Sequence, residues 1–498
     1  MAIGMAEKTA LPVNSTVRNQ RNASHALLDG AVFPTLVRLA APTIALMTLQ
    51  GLISAGETAF VGQLGASALA GASLSFPLVM LMTTLSAGAY GGGVSSAVAR
   101  ALGAGRQTDA NRLALTALSM AGLIGLVFMS VMLLLGRSIY QALGATGSAL
   151  DCAVLYSNVL FLGAVPFWLF NAAASILRAG GNANLPATTG AIGGVMTLAV
   201  SPVLIFGIGS LPGLGIAGAA SAIVLYNIGM ALVLLRSVSR VLSAARPAAI
   251  MQMPLWTDVY EILKVSIPSA ASTILTNMTF IVLTGLVAPF SESAIAGYGS
   301  GGRLEYLLIP IVFGIGSALV PLVAASEGAG NFSRVQQLTR TGAVLATVAC
   351  AVIGITVATF PLVWMNLFTT DSDVVAIGSA YLVRVGYAYP CLGLGLSLYF
   401  ASQGRGRTGL PLLATGTRLI VAGFGGIIAV RTFRASIETL FHLMAGGLAM
   451  YAMIMVIIMR RELGWSPETL LKPLAISLAK PKIEDLPYIA IVAQVEDD

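Results

Sequence analysis

Charged residues are scarce in this sequence, and that scarcity limits what the protein can be. Of the 498 residues, only 9% are Asp, Glu, Lys or Arg, whereas soluble domains carry about 25%. Hydrophobic residues make up 57% of the chain, and the mean hydropathy is +0.88. This composition excludes a soluble enzyme and a disordered chain, because neither could expose so much apolar surface to water.

Residues that hold metals, close disulfides or carry covalent catalysis are also few. The three cysteines (Cys152, Cys350 and Cys391) lie far apart, and the two histidines are His25 and His442, so neither metal-ligand spacing nor a disulfide framework is present. The phosphate-binding pattern G-x-x-x-x-G-K-[ST] is absent as well. We therefore expect no metal, no cofactor and no enzymatic activity.

Apolar segments of about 20 residues recur along the whole chain, which predicts an all-α integral membrane protein with about twelve transmembrane helices. Gly and Pro inside these segments are tolerated, because neighbouring helices satisfy the freed backbone groups. The predicted spans are 35–60, 68–97, 113–136, 152–177, 186–208, 214–235, 262–288, 294–325, 341–366, 376–402, 409–430 and 437–459.

The basic residues of the connectors predict the orientation. The formal net charge is +7, but no basic stripe interleaved with aromatics occurs, so nucleic acid is not an expected partner. One side of the membrane has three of these residues (Arg137, Arg431 and Arg434), and the other has twelve: Arg100, Arg106, Arg112, Arg178, Arg236, Arg240, Arg246, Lys264, Arg334, Arg340, Arg405 and Arg407. The positive-inside rule therefore predicts a multi-pass cell-membrane protein (inner membrane in a Gram-negative cell), with cytoplasmic tails at 1–32 and 461–498.

The chain also resembles itself. Pro42 and Pro268 are 226 residues apart, and Ser67-Ala-Leu-Ala-Gly71 matches Ser293-Ala-Ile-Ala-Gly297 at the same offset. Leu185-Pro186 matches Leu410-Pro411 at an offset of 225. These matches predict two six-helix bundles, 33–235 and 262–460, joined by a cytoplasmic linker at 236–261. Two copies that run in the same sense form a parallel repeat, which is a recurring design of secondary transporters.

Glu57 is the acid that stands out, because nearly all the others fall in connectors. It lies 19 residues past the basic end of span 1, about 28 Å along the helix, in the outer part of the membrane. Gln50 and Ser54 share its helix face. Its counterpart in the second repeat is Leu283, so a bundle can form without this acid. A desolvated carboxyl group favours its protonated form, which predicts a proton-coupling residue. The alternative is a structural carboxylate capped by its neighbours.

Two further features of the spans carry open alternatives. Glu305 is the second acid within a span, and it is either functional or part of a structural ion pair with Arg384 or Arg418. Arg303 cannot face it, since residues two apart do not meet on a helix. Pro42 predicts a bend in span 1, unless it only allows close packing of helices.

Several motifs taken together resemble the MATE (multidrug and toxic compound extrusion) family of the multidrug/oligosaccharidyl-lipid/polysaccharide flippase superfamily. The resemblance covers about residues 33–460. It rests on an ordered set: Leu39-Ala-Ala-Pro42, Gln50, Glu57-Thr-Ala-Phe-Val-Gly62, Ala101-Leu-Gly-Ala-Gly-Arg106, Ile176-Leu-Arg-Ala-Gly-Gly181, Gly215-Ile-Ala-Gly-Ala-Ala220, Ala296-Gly-Tyr-Gly299, Arg303-Leu-Glu305 and Gln403-Gly-Arg-Gly-Arg-Thr408.

The resemblance implies an antiporter that expels organic cations, drugs or other amphiphiles against H⁺ or Na⁺. The usual first-helix acid of the family is Asp, and Glu57 takes its place here. Thr197 and Ser201 take the places where the fifth helix often carries Asn and Asp. In span 7, Thr276 and Asn277 stand where some members hold a Glu.

These residues define two predicted sites. The coupling-ion site comprises Glu57, Gln50, Ser54, Thr197 and Ser201, and Pro42 is the predicted bend. The substrate cavity is predicted to include Asn171, Thr276, Asn277, Glu305 and Arg303.

Proton coupling is favoured over Na⁺ coupling, because a hard cation prefers several oxygen ligands, carboxylates among them. The rival functions are a Na⁺-coupled exporter, a lipid-linked saccharide flippase of the same superfamily, and a channel or membrane scaffold. A flippase is expected to carry more cavity cations than the scattered Arg303, Arg384 and Arg418. The expected partners are small-molecule substrates, H⁺ or Na⁺ and the lipid bilayer, with the protein as a monomer.

Overall fold

The computed structural model describes residues 28, 30–209, 211–243 and 256–464, and this part of the chain is almost entirely helical. The first half contains α1 (Val32–Gly62), α2 (Ala66–Gly103), α3 (Gln107–Ala142), α4 (Gly147–Leu162), α5 (Ala164–Ala179), α6 (Asn184–Phe206) and α7 (Ile216–Ser243). Within α2, residues Thr84–Tyr90 form a π-helical segment. The connector after α6 holds a two-residue antiparallel pairing of β1 (Gly207–Ile208) with β2 (Leu211–Pro212).

The second half follows the same order. It contains α8 (Trp256–Val287), α9 (Glu292–Gly328), α10 (Phe332–Thr359), the short α11 (Pro361–Met365), α12 (Ser372–Val385), α13 (Tyr389–Gly404), α14 (Gly409–Arg431) and α15 (Ile437–Ile458). A 3-10 turn at Gly386–Ala388 joins α12 to α13, and a π-helical segment at Leu419–Phe424 interrupts α14.

The helix bounds reproduce the sequence repeat. Helices α2 and α9 begin 226 residues apart, at Ala66 and Glu292, and α6 and α14 begin 225 apart, at Asn184 and Gly409. The fourth span is broken in both copies: α4 and α5 meet at an angle of 47°, and the 3-10 turn divides their counterparts α12 and α13. The break is therefore a property of the repeated unit.

The predicted membrane fold is confirmed. In the described ranges, ten helices are long and apolar enough to cross a membrane, and the bent pair α4–α5 makes an eleventh span. The α12–α13 segment is the repeat counterpart of that pair, which gives the predicted count of about twelve. Within the predicted linker, residues 236–243 continue α7 and 256–261 begin α8. Residues 244–255 and most of both predicted tails lie outside the described residues.

The bundles meet at one end, which we call the arginine-rich end because it contains Arg100, Arg106, Arg112, Arg405 and Arg407. Here α2 and α9 cross so closely that a Cβ added to Gly103 would lie 2.0 Å from the Ala325 carbonyl oxygen. A Cβ added to Gly328 would likewise lie 2.0 Å from the Arg100 carbonyl oxygen. Glycine is therefore required at both repeat-related positions for this contact.

Ion pairs between the bundles close the same end. The Arg112 guanidinium donates to both carboxylate oxygens of Asp258, from Nε at 2.6 Å and from Nη2 at 3.1 Å. Arg100 donates to Glu261 at 3.2 Å. Nearer the centre, the Ser96 hydroxyl donates to the Gly404 carbonyl at 3.0 Å. A further hydrogen bond between the bundles, from Gln403 Nε2 to the Gly88 carbonyl at 3.2 Å, lies nearer the middle of α2.

Replacing Gly103 by alanine is expected to weaken closure of the arginine-rich end. The new methyl group meets a backbone oxygen, and overpacking of this kind costs about 1–3 kcal/mol. Spin labels at Gln107 and Phe332, which begin α3 and α10 at this end, should report a longer distance in the variant by pulsed electron paramagnetic resonance. Gly229→Ala is the matched control, because nothing lies within 4 Å of a Cβ added there. Unchanged distances in Gly103→Ala would contradict this account of the contact.

Candidate functional site

The packing of α1 on α6 sets the position of Glu57. A Cβ on Gly194 would lie 2.5 Å from Ile53 Cδ1, and a Cβ on Gly56 would lie 2.7 Å from Leu198 Cδ1. Residues at a sequence separation of 141–142 therefore touch, as expected for two parallel helices in register. At this offset Glu57 lies level with α6 residues 198 and 199, between Thr197 and Ser201.

Two buried oxygens at this level have no partner among the described residues. They are Glu57 Oε1 and Ser201 Oγ. Ser201 is completely buried, and the Glu57 side chain is half-buried. A buried polar atom that lacks a hydrogen bond is costly and calls for an explanation such as an ion or water. Glu57 and the α6 residues at its level, Thr197 and Ser201, are therefore a candidate site for an exchangeable proton or cation, and we call this group the Glu57 site.

The other members of the predicted coupling set lie within or around the Glu57 site. The Thr197 hydroxyl is buried and donates to the Gly193 carbonyl of its own helix at 2.8 Å. Gln50 is exposed at the surface of α1 beside the hydroxyl of Tyr226. Ser54 is exposed as well, and its backbone carbonyl accepts a hydrogen bond from Thr58 at 2.8 Å.

Tyr156 of α4 is a neighbour of Glu57 that the sequence argument missed. Its phenol lies close enough to Glu57 for the two groups to interact electrostatically. Its counterpart at the repeat offset of 225 is Tyr381, which donates from its hydroxyl to Glu305 Oε1 at 3.5 Å. A tyrosine next to a carboxyl group is thus present in both bundles. The presence of tyrosine at both repeat-related positions, 156 and 381, was the sequence feature that could have indicated this arrangement.

Glu305 lies in a pocket of the second bundle. Its side chain is buried, and Tyr381 also contacts the Tyr389 hydroxyl at 3.2 Å. The remaining charged residue of the pocket is Arg418, which interacts with Glu305 electrostatically. We call this the second-bundle pocket, and its lining consists of Phe280, Leu283, Tyr298, Glu305, Tyr381, Val385, Arg418, Ala422, Met444 and Leu448.

Arg303, which is close to Glu305 in the sequence, and Arg384, a predicted partner of Glu305, do not contact it in the structure. Arg303 is exposed, and its Cζ atom lies over the Phe368 ring, 5.3 Å from the ring centroid. Arg384 pairs with Glu438 at 2.5 Å. Of the two candidate partners for Glu305, Arg384 pairs with another acid, and Arg418 shares the pocket with Glu305. Among the described residues, neither arginine forms the predicted ion pair with Glu305 within 4 Å.

The other predicted cavity residues are bonded within their own helices. Asn171 is buried and donates to the Phe167 carbonyl at 3.1 Å. Asn277 donates to the Thr273 carbonyl at 2.9 Å, and the Thr276 hydroxyl donates to its helix backbone in the same way. Helix α8 carries Thr276 one turn before Phe280, a lining residue of the second-bundle pocket.

Helix α1 contacts both bundles. Its first half packs on the second bundle, where Ile44 occupies the space that a Cβ on Gly314 would need. Its second half packs on α6 as described above. The helix is continuous through Pro42, which is half-buried near the change from one contact to the other.

The acid content of the site bears on the ion it can hold. In the described part of the chain, no group of three or more His, Cys, Asp or Glu side chains is arranged to hold a metal ion. The Glu57 site therefore offers one carboxyl group together with the hydroxyl oxygens of Thr197 and Ser201.

Comparison with known proteins identifies the family. The MatE family model matches the chain twice, over residues 42–203 and 268–427, once in each half. This chain belongs to the MATE family of transporters. The two matches coincide with the two predicted bundles, so the internal repeat is the repeat of the family. The predicted resemblance is confirmed, and the protein is a multi-pass membrane transporter.

Individual relatives agree with this assignment. The FAD transporter of Shewanella oneidensis is 29% identical over 381 residues, covering 74% of this chain and 82% of the relative. The probable multidrug resistance protein NorM of Thermotoga maritima is 25% identical over 428 residues, covering 82% of this chain and 91% of the relative. A transporter of the same superfamily from Pyrococcus furiosus shares the fold, with a TM-score of 0.80 and 23% identity over 89% of this chain and 98% of that one.

Proposed function

We propose that this transporter exports organic cations, drugs or other amphiphilic compounds in exchange for protons, with Glu57 as the coupling residue. The observation that carries the proposal is the unpartnered Oε1 of Glu57, buried in one bundle and replaced by Leu283 at the equivalent place in the other. An acid that is absent from one copy of the bundle is not needed to build it, and intramembrane acids are functional by default.

Protonation changes what the Glu57 site can hold. The ionised carboxylate attracts a cation, whereas the neutral acid does not. Protonation also removes the free-energy cost of keeping an unpaired charge partly desolvated. Because α1 contacts both bundles, a change of charge at Glu57 acts on the helix whose other half packs against the second bundle. In this scheme, a proton arriving from the outer side releases the substrate, and the proton leaves toward the cytoplasm when the bundles rearrange.

The orientation belongs to the same proposal. The arginine-rich end faces the cytoplasm, in line with the excess of basic residues there, and Glu57 lies in the outer half of the membrane. With the arginine-rich end closed, this arrangement corresponds to a transporter whose site is reached from outside.

Proton coupling is favoured over Na⁺ coupling by the donors present. Among the described side chains, the Glu57 site has one carboxyl group, and its other oxygens are the uncharged hydroxyls of Thr197 and Ser201. Na⁺ is a hard cation that prefers several oxygen ligands, whereas a proton needs only a single titratable group.

Reconstituted transport separates the two ions. In proteoliposomes that contain the purified protein, an imposed pH gradient without Na⁺ should drive ethidium transport, and an imposed Na⁺ gradient without a pH gradient should not. Vesicles without protein provide the background, and a proton ionophore should abolish the signal. Strict dependence on the Na⁺ gradient would replace the proton by Na⁺ in this scheme.

A flavin is a second candidate substrate, favoured by the 29% identity to the FAD transporter of Shewanella oneidensis. The same proteoliposomes loaded with FAD on one side distinguish the two substrates. Transport of FAD at a rate comparable to that of ethidium would favour a flavin exporter, and transport of ethidium alone would favour the multidrug assignment.

A further inference from the structure

The second-bundle pocket contains the repeat counterparts of Glu57 and of two of its neighbours, Tyr156 and Thr197. At the repeat offsets of 225 and 226, Leu283 corresponds to Glu57, Tyr381 to Tyr156 and Ala422 to Thr197. All three second-repeat residues line the pocket. The tyrosine is kept in both copies, whereas the acid and the hydroxyl of the first copy are replaced by apolar side chains. The same place in the fold therefore has a different chemistry in the second bundle.

The new chemistry is a buried arginine. Arg418 takes the place of Gly193 at the offset of 225 and is only 7% exposed. Within the described part of the chain, its guanidinium makes no hydrogen bond and no ion pair within 4 Å. Its contacts are the Phe280 ring, over which its Cζ atom lies 5.4 Å from the ring centroid, and the longer-range attraction of Glu305. A buried guanidinium with open donors is costly unless a partner arrives.

The cation–π contact with Phe280 leaves the N–H donors of Arg418 available. A guanidinium that lies over an aromatic face keeps its N–H groups in its own plane, where they form a fork that matches a carboxylate or a phosphate. The backbone supports this placement, because a π-helical segment begins at Leu419, directly after Arg418. Such segments occur frequently at functional sites. Arg418 therefore directly precedes the π-helical segment of α14, and its side chain lines the pocket.

We propose that the second-bundle pocket binds the anionic group, a carboxylate or phosphate, of a transported amphiphile through Arg418. Glu305 is the counter-charge that keeps the empty pocket neutral, and Tyr381 positions its carboxyl group by hydrogen bonding. The apolar residues Phe280, Met444 and Leu448 line the pocket around this anionic group. Together with the lone acid of the first bundle, this predicts preferred solutes that carry both a cation and an anion. The inference rests on the proposed export function and names the substrate class.

A matched pair of dyes tests the charge preference. Rhodamine B carries a free carboxylate, and its ethyl ester has the same aromatic body without that charge. Equilibrium binding to the purified transporter, measured by fluorescence anisotropy at neutral pH, requires no gradient and is therefore independent of coupling. Wild-type protein should bind rhodamine B at least as tightly as the ester. Loss of a charge-assisted hydrogen bond should weaken rhodamine B binding by about tenfold or more in Arg418→Gln, with the ester changed less than about twofold.

Three further variants keep the result interpretable. Arg418→Lys retains the charge without the fork and should lie between the wild type and the Gln variant. Arg431→Gln removes an exposed arginine at the end of the same helix and should bind both dyes as the wild type does. Glu305→Gln removes the competing negative charge and should strengthen rhodamine B binding, which tests the site even where Arg418→Gln fails to fold.

The proposal is overturned where wild-type protein prefers the ester or does not bind rhodamine B. It is equally overturned where Arg418→Gln weakens both dyes alike, or where Glu305→Gln weakens rhodamine B. Failure of export itself gives a different result, since both dyes then bind with the expected preference while neither is moved by a gradient.

Discussion

Replacing Glu57 by glutamine is expected to abolish transport driven by a pH gradient. The amide keeps the size and polarity of the side chain but cannot exchange a proton, so the gradient no longer distinguishes the two states of the transporter. A driving force shifts a conformational equilibrium only through a difference in binding between the states. In proteoliposomes, the rate of ethidium transport should therefore fall to that of vesicles without protein.

Two control variants test whether the loss of transport comes from the missing titratable group at position 57. Glu57→Asp keeps a titratable group on a shorter side chain and should retain a measurable fraction of the wild-type rate. Glu292→Gln removes an exposed acid at the start of α9 and should transport like the wild type. Full pH-driven transport by Glu57→Gln would end the role assigned to this residue, and the coupling group would have to be sought elsewhere.

The second large effect is expected at the ion pair that closes the arginine-rich end. Asp258 is buried and accepts two hydrogen bonds from Arg112 across the bundle boundary. Breaking a buried ion pair by removing one partner costs about 3–5 kcal/mol, which shifts a two-state equilibrium by about a hundredfold or more. Asp258→Asn should therefore favour the state in which this end is open.

The same spin labels at Gln107 and Phe332 report the change as a population of longer distances. Asp109→Asn is the matched control, because Asp109 also pairs with Arg112, at 3.3 Å, but lies in the same bundle and on the same helix. It should leave the distance distribution close to that of the wild type. If Asp109→Asn opened the end as much as Asp258→Asn, the loss of charge would be responsible and not the bond between bundles.

The membrane spans and the two-bundle organisation could be predicted from the sequence. Lipid demands helices whose backbone groups are satisfied internally, so apolar length alone predicts spans, and the 226-residue offset between Pro42 and Pro268 predicts two bundles. The bend in span 4 was not predicted, because the apolar pattern continues across Gly163. Helices α7 and α8 were also predicted too short at the linker. Helix α7 continues to Ser243 and α8 begins at Trp256, because polar residues of the predicted linker continue both helices.

The sequence by itself determined the solvent of this protein, its repeat, its family and the acid that only one repeat carries, because each of these is a matter of residue type and spacing along one chain. The tertiary structure decided which side chains meet. It placed Arg418, not Arg384, beside Glu305, moved Arg303 to the surface, brought Tyr156 to Glu57 and joined Arg112 to Asp258 across 146 residues. Such contacts depend on helix rotation and crossing, which are set by packing between helices distant in the chain and leave no periodic pattern in either helix alone.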